Sequence, residues 1–217
     1  MPRRALIDKR PWLLASLAAG VSYYFVQGSV TVPGLWLMAW KGAGVALLGV
    51  YALLRHKGAD SRLIAAVMTL GALGDVAIEI LLEAGAGFFL IGHLVAIALY
   101  LRHRRAVLVP TQKAAGLALL VLTPVAAWGL TRDLAAAGYA LGLGAMAAAA
   151  WTSSFPRYRV GLGAVLFVAS DLLIFARMGP LAASALPGLL VWPLYYFGQV
   201  LIATGVVGEL RSKAERS

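Results

Sequence analysis

Five ionisable side chains stand inside otherwise apolar runs of this chain: Lys41, Asp75, Glu79, His93 and Asp171. Gln199 and the adjacent phenols Tyr195 and Tyr196 join them as polar groups in apolar surroundings. Placing an ionisable group in hydrocarbon costs at least about 2.5–3.5 kcal/mol, so such residues face a bundle interior or a wet cavity. Three carboxyl groups against one ammonium would leave uncompensated negative charge in a low dielectric if all were ionised. A carboxylic acid working beside an ionised carboxylate is the equipment of general acid–base chemistry. A three-histidine zinc centre is excluded, because His56 and His103 fall between the apolar runs, His93 is the one histidine inside them, and the chain has no cysteine. A carboxylate-rich divalent cation site stays open, but the reading calls for no metal and no cofactor. A Ser-His-Asp arrangement through Ser170 is disfavoured, since Ser170 precedes Asp171 by one helical position and points elsewhere.

The elements that carry these groups are long apolar segments. Of the 217 residues, 61% are hydrophobic and only 13% charged, with a mean hydropathy of +0.84. That composition makes hydrocarbon part of the solvent, and continuous rather than alternating apolar runs indicate helices, not a barrel. At roughly 20 residues per crossing, the spacing predicts an all-α, polytopic membrane bundle of eight transmembrane helices in a single domain. The spans lie near 12–26, 33–54, 62–83, 86–101, 113–130, 135–151, 159–176 and 187–209. Turn signals separate them: Gly28 to Gly34, His56 to Asp60, Gly85 to Gly87, Pro110, Phe155-Pro156, and Gly179-Pro180 to Pro187. The apolar run that follows Met1 to Arg4 reads as a first span rather than a cleaved leader, for no small-residue cleavage site follows it.

The net charge of +10 is not a nucleic-acid signature, because the basic residues cluster in the connections between apolar runs. With eight spans, one face collects Arg3, Arg4, Lys9, Arg10, Arg55, Lys57, Arg62, Arg102, Arg104, Arg105, Lys113, Arg157, Arg159, Arg211, Lys213 and Arg216. The opposite face has only Arg132 and Arg177. This bias places both termini in the cytoplasm, and the expected setting is a bacterial inner (plasma) membrane. At about 1.5 Å per residue, Lys41, Asp75, His93, Asp171 and Tyr195 fall roughly 8–12 Å below the non-cytoplasmic helix ends, and Gln199 roughly 18 Å below. Five helices thus offer polar groups to one layer. Glu79 is expected on the face of the third helix that carries Asp75, one turn nearer the surface.

A faint repeat runs through the same positions. Leu73-Gly74-Asp75 echoes Ala169-Ser170-Asp171, and Phe88 to His93 echoes Leu194 to Gln199. An offset of four helices preserves orientation, which would make two parallel four-helix halves.

On Gly74-Asp75, Gly92-His93, Ser170-Asp171 and Tyr195-Tyr196 with Gln199, the chain resembles the YhhN-like lysoplasmalogenase family of eight-helix membrane proteins. Lys41 stands where that family carries a lysine, although the family's usual Lys-Pro is here Lys41-Gly42. The resemblance covers nearly the whole chain in order and spacing. It implies an ether hydrolase that cleaves the vinyl ether bond of lysoplasmalogens, giving a fatty aldehyde and a glycerophospho-alcohol. It also implies a lysolipid substrate drawn from the surrounding membrane lipids. Asp75 and Asp171 would share the roles of proton donor and carboxylate. Lys41 and His93 would bind the head-group phosphate or tune the acids, Glu79 would line the same site, and Tyr195, Tyr196 and Gln199 would orient substrate or water. The alternative from another class is a small transporter or proton-coupled carrier, since buried Asp, Glu and Lys also form ion pathways. Against it, no polar path leads from this layer to the cytoplasmic face. Oligomeric state has no signal in the sequence.

Overall fold

The computed structural model describes residues 11–216; the basic cluster Arg3, Arg4, Lys9 and Arg10 lies outside them. Among the described residues eight α-helices follow in order: α1 Pro11–Val26, α2 Gly34–Arg55, α3 Ala59–Ala77, α4 Leu82–Arg102, α5 Pro110–Thr131, α6 Leu134–Thr152, α7 Leu162–Arg177 and α8 Leu186–Ala214. A π-helical turn, Arg157–Gly161, leads into α7. The chain is an all-α polytopic membrane bundle. Six segments are long and apolar enough to cross a bilayer: α2, α4, α5, α6, α8, and Arg157–Arg177. Helix α1 is apolar but has only 16 residues, while α3 includes Asp60, Arg62 and Asp75 in its 19 residues.

One expected boundary is corrected. The third helix ends at Ala77 rather than near residue 83, and Ile78 to Leu81 form a turn before α4 begins at Leu82. Gly85, expected to mark the turn, lies inside the first turn of α4. A Cβ on it would stand 2.6 Å from the Cβ of Ile78, so its role is close approach and not chain reversal. Glu79 therefore sits in the α3–α4 turn and not on the helical face of Asp75.

The helices gather into two compact units. The first comprises α1 to α3, α4 as far as Gly92, and the chain from Leu210 onward; the second runs from His93 to Glu209. The division falls within α4, not in the α4–α5 connection that equal four-helix halves would use.

In the first unit, α1 and α2 are joined by the Ser16 hydroxyl donating to the Gly44 carbonyl at 2.5 Å, and by the Trp40 indole donating to the Ala19 carbonyl at 3.1 Å. Helices α2 and α3 meet along Gly42 and Gly49, two turns apart. A Cβ there would lie 2.8 Å from Val76 Cγ2 and 3.3 Å from the Ala65 carbonyl respectively. Lipid gives apolar side chains no incentive to associate, so small residues that permit backbone contact do the joining.

The second unit uses the same device. A Cβ on Gly144 of α6 would stand 2.6 Å from the Leu119 carbonyl of α5. Gly163 of α7 and Gly198 of α8 face each other, a Cβ on either falling 2.6 and 2.7 Å from the other's carbonyl oxygen. The connections α4–α5 and α6–α7 bond directly, with Ser154 N–H donating to His103 O at 2.6 Å and Arg105 N–H donating to Thr152 O at 3.3 Å. Both connections are basic, with Arg104 and Arg105 in one and Arg157 and Arg159 in the other, whereas the α5–α6 and α7–α8 connections of this unit carry only Arg132 and Arg177. On α5, Leu117, Leu122 and Val125 are more than half exposed, which suits a surface turned to lipid.

Replacing Gly198 by Val should lower the melting temperature measurably, since overpacking against a backbone atom costs about 1–3 kcal/mol. Gly208→Ala, where a Cβ meets nothing within 4 Å, should leave it unchanged. Thermal unfolding in detergent followed by size-exclusion recovery would show the contrast; equal melting of both variants would refute the α7–α8 contact.

Candidate active site

The second unit assembles a hydrogen-bonded chain from three helices. Asp171 sits in the middle of α7 at 6% exposure, and its Oδ2 accepts a 2.6 Å bond from the Tyr139 hydroxyl of α6. The Tyr139 oxygen in turn lies 3.3 Å from His93 Nε2 of α4, and because the phenol's single proton goes to Asp171, the His93 Nε2–H is the donor there. His93 is itself buried. Carboxyl, phenol and imidazole thus form a continuous path along which a proton can pass without bulk water.

Aromatic rings wall this chain. The Phe167 ring meets His93 edge-on with centroids 5.1 Å apart, and Tyr195 meets Phe167 at 5.0 Å. Trp192 stacks on Tyr196 at 5.5 Å with 14° between planes. Trp192, Tyr195, Tyr196 and Gln199 are spaced 3, 4 and 7 residues along α8 and share one face of it. Gln199 is buried, and its side-chain Oε1 has no hydrogen-bond partner. An orphaned acceptor in such a place costs about 1–3 kcal/mol unless a ligand or water donates to it. Ser170 donates to the Val191 carbonyl at 3.0 Å, which occupies its hydroxyl away from any nucleophilic role.

The first unit holds the other candidates. Lys41 of α2 pairs with Glu79 of the α3–α4 turn at 2.5 Å, their side chains 14% and 42% exposed. The ammonium is thus engaged with a carboxylate at the unit's edge. Asp75, two residues from the end of α3, is buried. Tyr23 of α1 is also buried. A Cβ on Gly74 would stand 2.9 Å from the Phe89 ring, so α4 crosses α3 closely beside Asp75.

The structure therefore links His93 to Asp171, links Lys41 to Glu79, and sets Tyr195, Tyr196 and Gln199 on one helical stripe. Tyr139 and Tyr23 were not anticipated. The signal for Tyr139 was present: it is the one polar side chain between Leu134 and Ala150, a stretch otherwise of Ala, Gly, Leu and Met. No group of three or more His, Cys, Asp or Glu able to hold a metal ion occurs among the described residues. His56 instead bonds Ser61 at 2.6 Å, and His103 packs on Phe155.

The sequence model of the YhhN family matches residues 36–206, which include every candidate from Lys41 to Gln199. No curated protein and no solved structure matches the chain.

Tyr139→Phe keeps the ring and removes the hydroxyl that bonds Asp171. The loss should cost about 1–3 kcal/mol of stability, read as a lower melting temperature in detergent. A melting temperature equal to that of the parent chain would show that the bond carries no weight.

Proposed function

The chain belongs to the YhhN family, and on that premise we propose that it is an intramembrane hydrolase of the lysoplasmalogenase kind, acting on the vinyl ether bond of a lysolipid. The observation that carries this reading is the buried chain of Asp171, Tyr139 and His93. Vinyl ether hydrolysis is limited by proton delivery to carbon. A C–H bond forms at the outer alkene carbon as the π bond is consumed, leaving an oxocarbenium ion on the carbon that bears oxygen. Water adds to that carbon and loses a proton. The resulting hemiacetal then breaks its C–O bond, with a proton passing to the leaving oxygen, to release aldehyde and alcohol. The sum is one water consumed.

Asp171 is the proposed proton donor. Tyr139 holds its Oδ2, which leaves Oδ1 to carry the catalytic proton. The same phenol then stabilises the carboxylate that remains after transfer. His93 sits one step along the chain: as Tyr139 gives its proton to Asp171 Oδ2 it takes one from His93 Nε2, which restores the neutral acid. The rings of Phe167, Trp192 and Tyr195 offer π faces and an apolar wall, and a developing cation gains from both. Gln199 Oε1 is an acceptor awaiting a donor, which suits the attacking water or the free glycerol hydroxyl of a single-chain lipid. Asp75 is proposed as the second carboxylate on the sequence pattern, and Lys41 with Glu79 as groups that meet the polar head. The basic connections favour a bacterial inner membrane with both termini cytoplasmic.

The test is the purified full chain in detergent with a vinyl ether lysolipid, scored by aldehyde release. Asp171→Asn and Asp75→Asn should each lose about 100-fold or more, the usual contribution of general acid–base catalysis. Tyr139→Phe should lose roughly tenfold, the worth of about one hydrogen bond at the acid. The saturated alkyl analogue should be inert. Activity that survives both aspartate changes would remove the assignment, and absence of aldehyde from the parent chain would remove the reaction.

A further inference from the structure

The outer surface of the second unit carries an open groove that the proposed chemistry does not use. It has a volume of about 410 Å³ and is lined by Ala115, Ala118 and Ala126 of α5, Trp151 of α6, and Val165 and Leu172 of α7, among other apolar residues. The three alanines deepen it, while Leu122, also in its lining, and Leu117 beside it on α5 are 61% and 62% exposed. From Ala115 to Ala126 the helix rises about 16 Å at 1.5 Å per residue. That is about half of a ~30 Å hydrocarbon core, the depth of one leaflet.

Polar groups stand next to the Ala115 and Trp151 lining of the groove. Gln112 lies one turn before Ala115 on the same side of α5, and with its amide turned to satisfy both its oxygen and its nitrogen, the oxygen accepts from the Arg157 guanidinium. Arg157 also lies over the Trp151 ring, 5.7 Å from its centroid. It makes no ion pair among the described residues. Arg157 Nε and Trp151 Nε1 are both buried N–H donors with no acceptor. A cation without counter-charge and two orphaned donors, side by side at the basic face, form an incomplete site. Only an acceptor completes it, and the charge calls for an anionic one. A guanidinium beside an indole N–H matches phosphate in both charge and donor geometry. The apolar trough that starts there adds a requirement for a hydrocarbon chain.

We propose that this groove is a binding site for an anionic phospholipid of the leaflet at the basic face, with one acyl chain along α5 and its phosphate at Arg157 and Trp151. The neutral amide of Gln112 holds the guanidinium in place without competing for its charge. The site is independent of the hydrolase reading, because it shares no residue with the chain of Asp171, Tyr139 and His93.

Native mass spectrometry of the full chain in detergent tests it, with phosphatidylglycerol and phosphatidylcholine of matched acyl chains. One phosphatidylglycerol should be retained about fivefold or more over phosphatidylcholine, as expected for one basic residue acting on an anionic lipid. Arg157→Gln should abolish the preference. Ala118→Phe, which fills the trough without touching the polar end, should abolish retention. Glycerol phosphate alone should not displace the lipid. Equal retention of both lipids would overturn the proposal, as would retention undiminished in Ala118→Phe or displacement by glycerol phosphate at equal concentration. Should Arg157→Gln fail to fold, Trp151→Phe replaces it: weaker phosphatidylglycerol retention supports the site, and unchanged retention refutes it.

Discussion

Hydrocarbon offers a buried carboxyl group nothing to bond to, so Asp171 keeps its place inside α7 only because another helix brings it a donor. Tyr139 is that donor, at 2.6 Å. Everything in the second unit follows from bringing a phenol on α6 within reach of α7. Helix α6 is rich in Ala and Gly beyond Tyr139, which lets it lie close to its neighbours, and Gly144 allows the Leu119 carbonyl of α5 to approach. Helix α7 meets α8 through the paired Gly163 and Gly198, which aligns Phe167 with Tyr195 and closes the aromatic wall around His93. Small residues set the distances, and the polar groups exploit them.

The two units settle their buried polarity differently. In the first, charge is matched by charge: Lys41 and Glu79 form an ion pair whose carboxylate is 42% exposed. Water at that edge lowers both the cost of the charges and the worth of the pair. In the second, the polar chain is more fully buried and runs through one phenol and one imidazole. A neutral relay tolerates low dielectric where an ion pair would demand heavy desolvation.

How much of this was legible in the sequence divides along energetic lines. Spans were readable from the length of apolar runs, and α1, α2, α5 and α6 begin and end within a few residues of their expected bounds. Asp75, Asp171 and His93 announced themselves because burying an ionisable group is costly. Tyr139 did not, because a phenol in a membrane helix costs little and serves as ordinary packing elsewhere. Its partner identity depends on which helices touch, and no local pattern encodes that. The end of α3 was misplaced for a related reason. Gly85 has the composition of a turn, but it is needed where α4 passes over Ile78, a tertiary requirement that local propensity does not reveal. The orphaned groups of Gln199, Trp151 and Arg157 were equally hidden, since lacking a partner is a property of the surroundings.

Those orphaned groups also separate the two ligand sites by sign. Gln199 presents a carbonyl oxygen, an acceptor that only a hydroxyl, an N–H or water can satisfy. Arg157 and Trp151 present donors, which only an acceptor can satisfy. A lysolipid carries both kinds of group, a free hydroxyl and a phosphate, but its hydroxyl lies on the glycerol close to the scissile ether. The group that meets Gln199 is therefore the one nearest the chemistry, while a phosphate held at Arg157 sits at the basic end of the bundle, beyond the start of α5. The unmatched acceptor and the unmatched donors thus call for ligand groups of opposite hydrogen-bonding character.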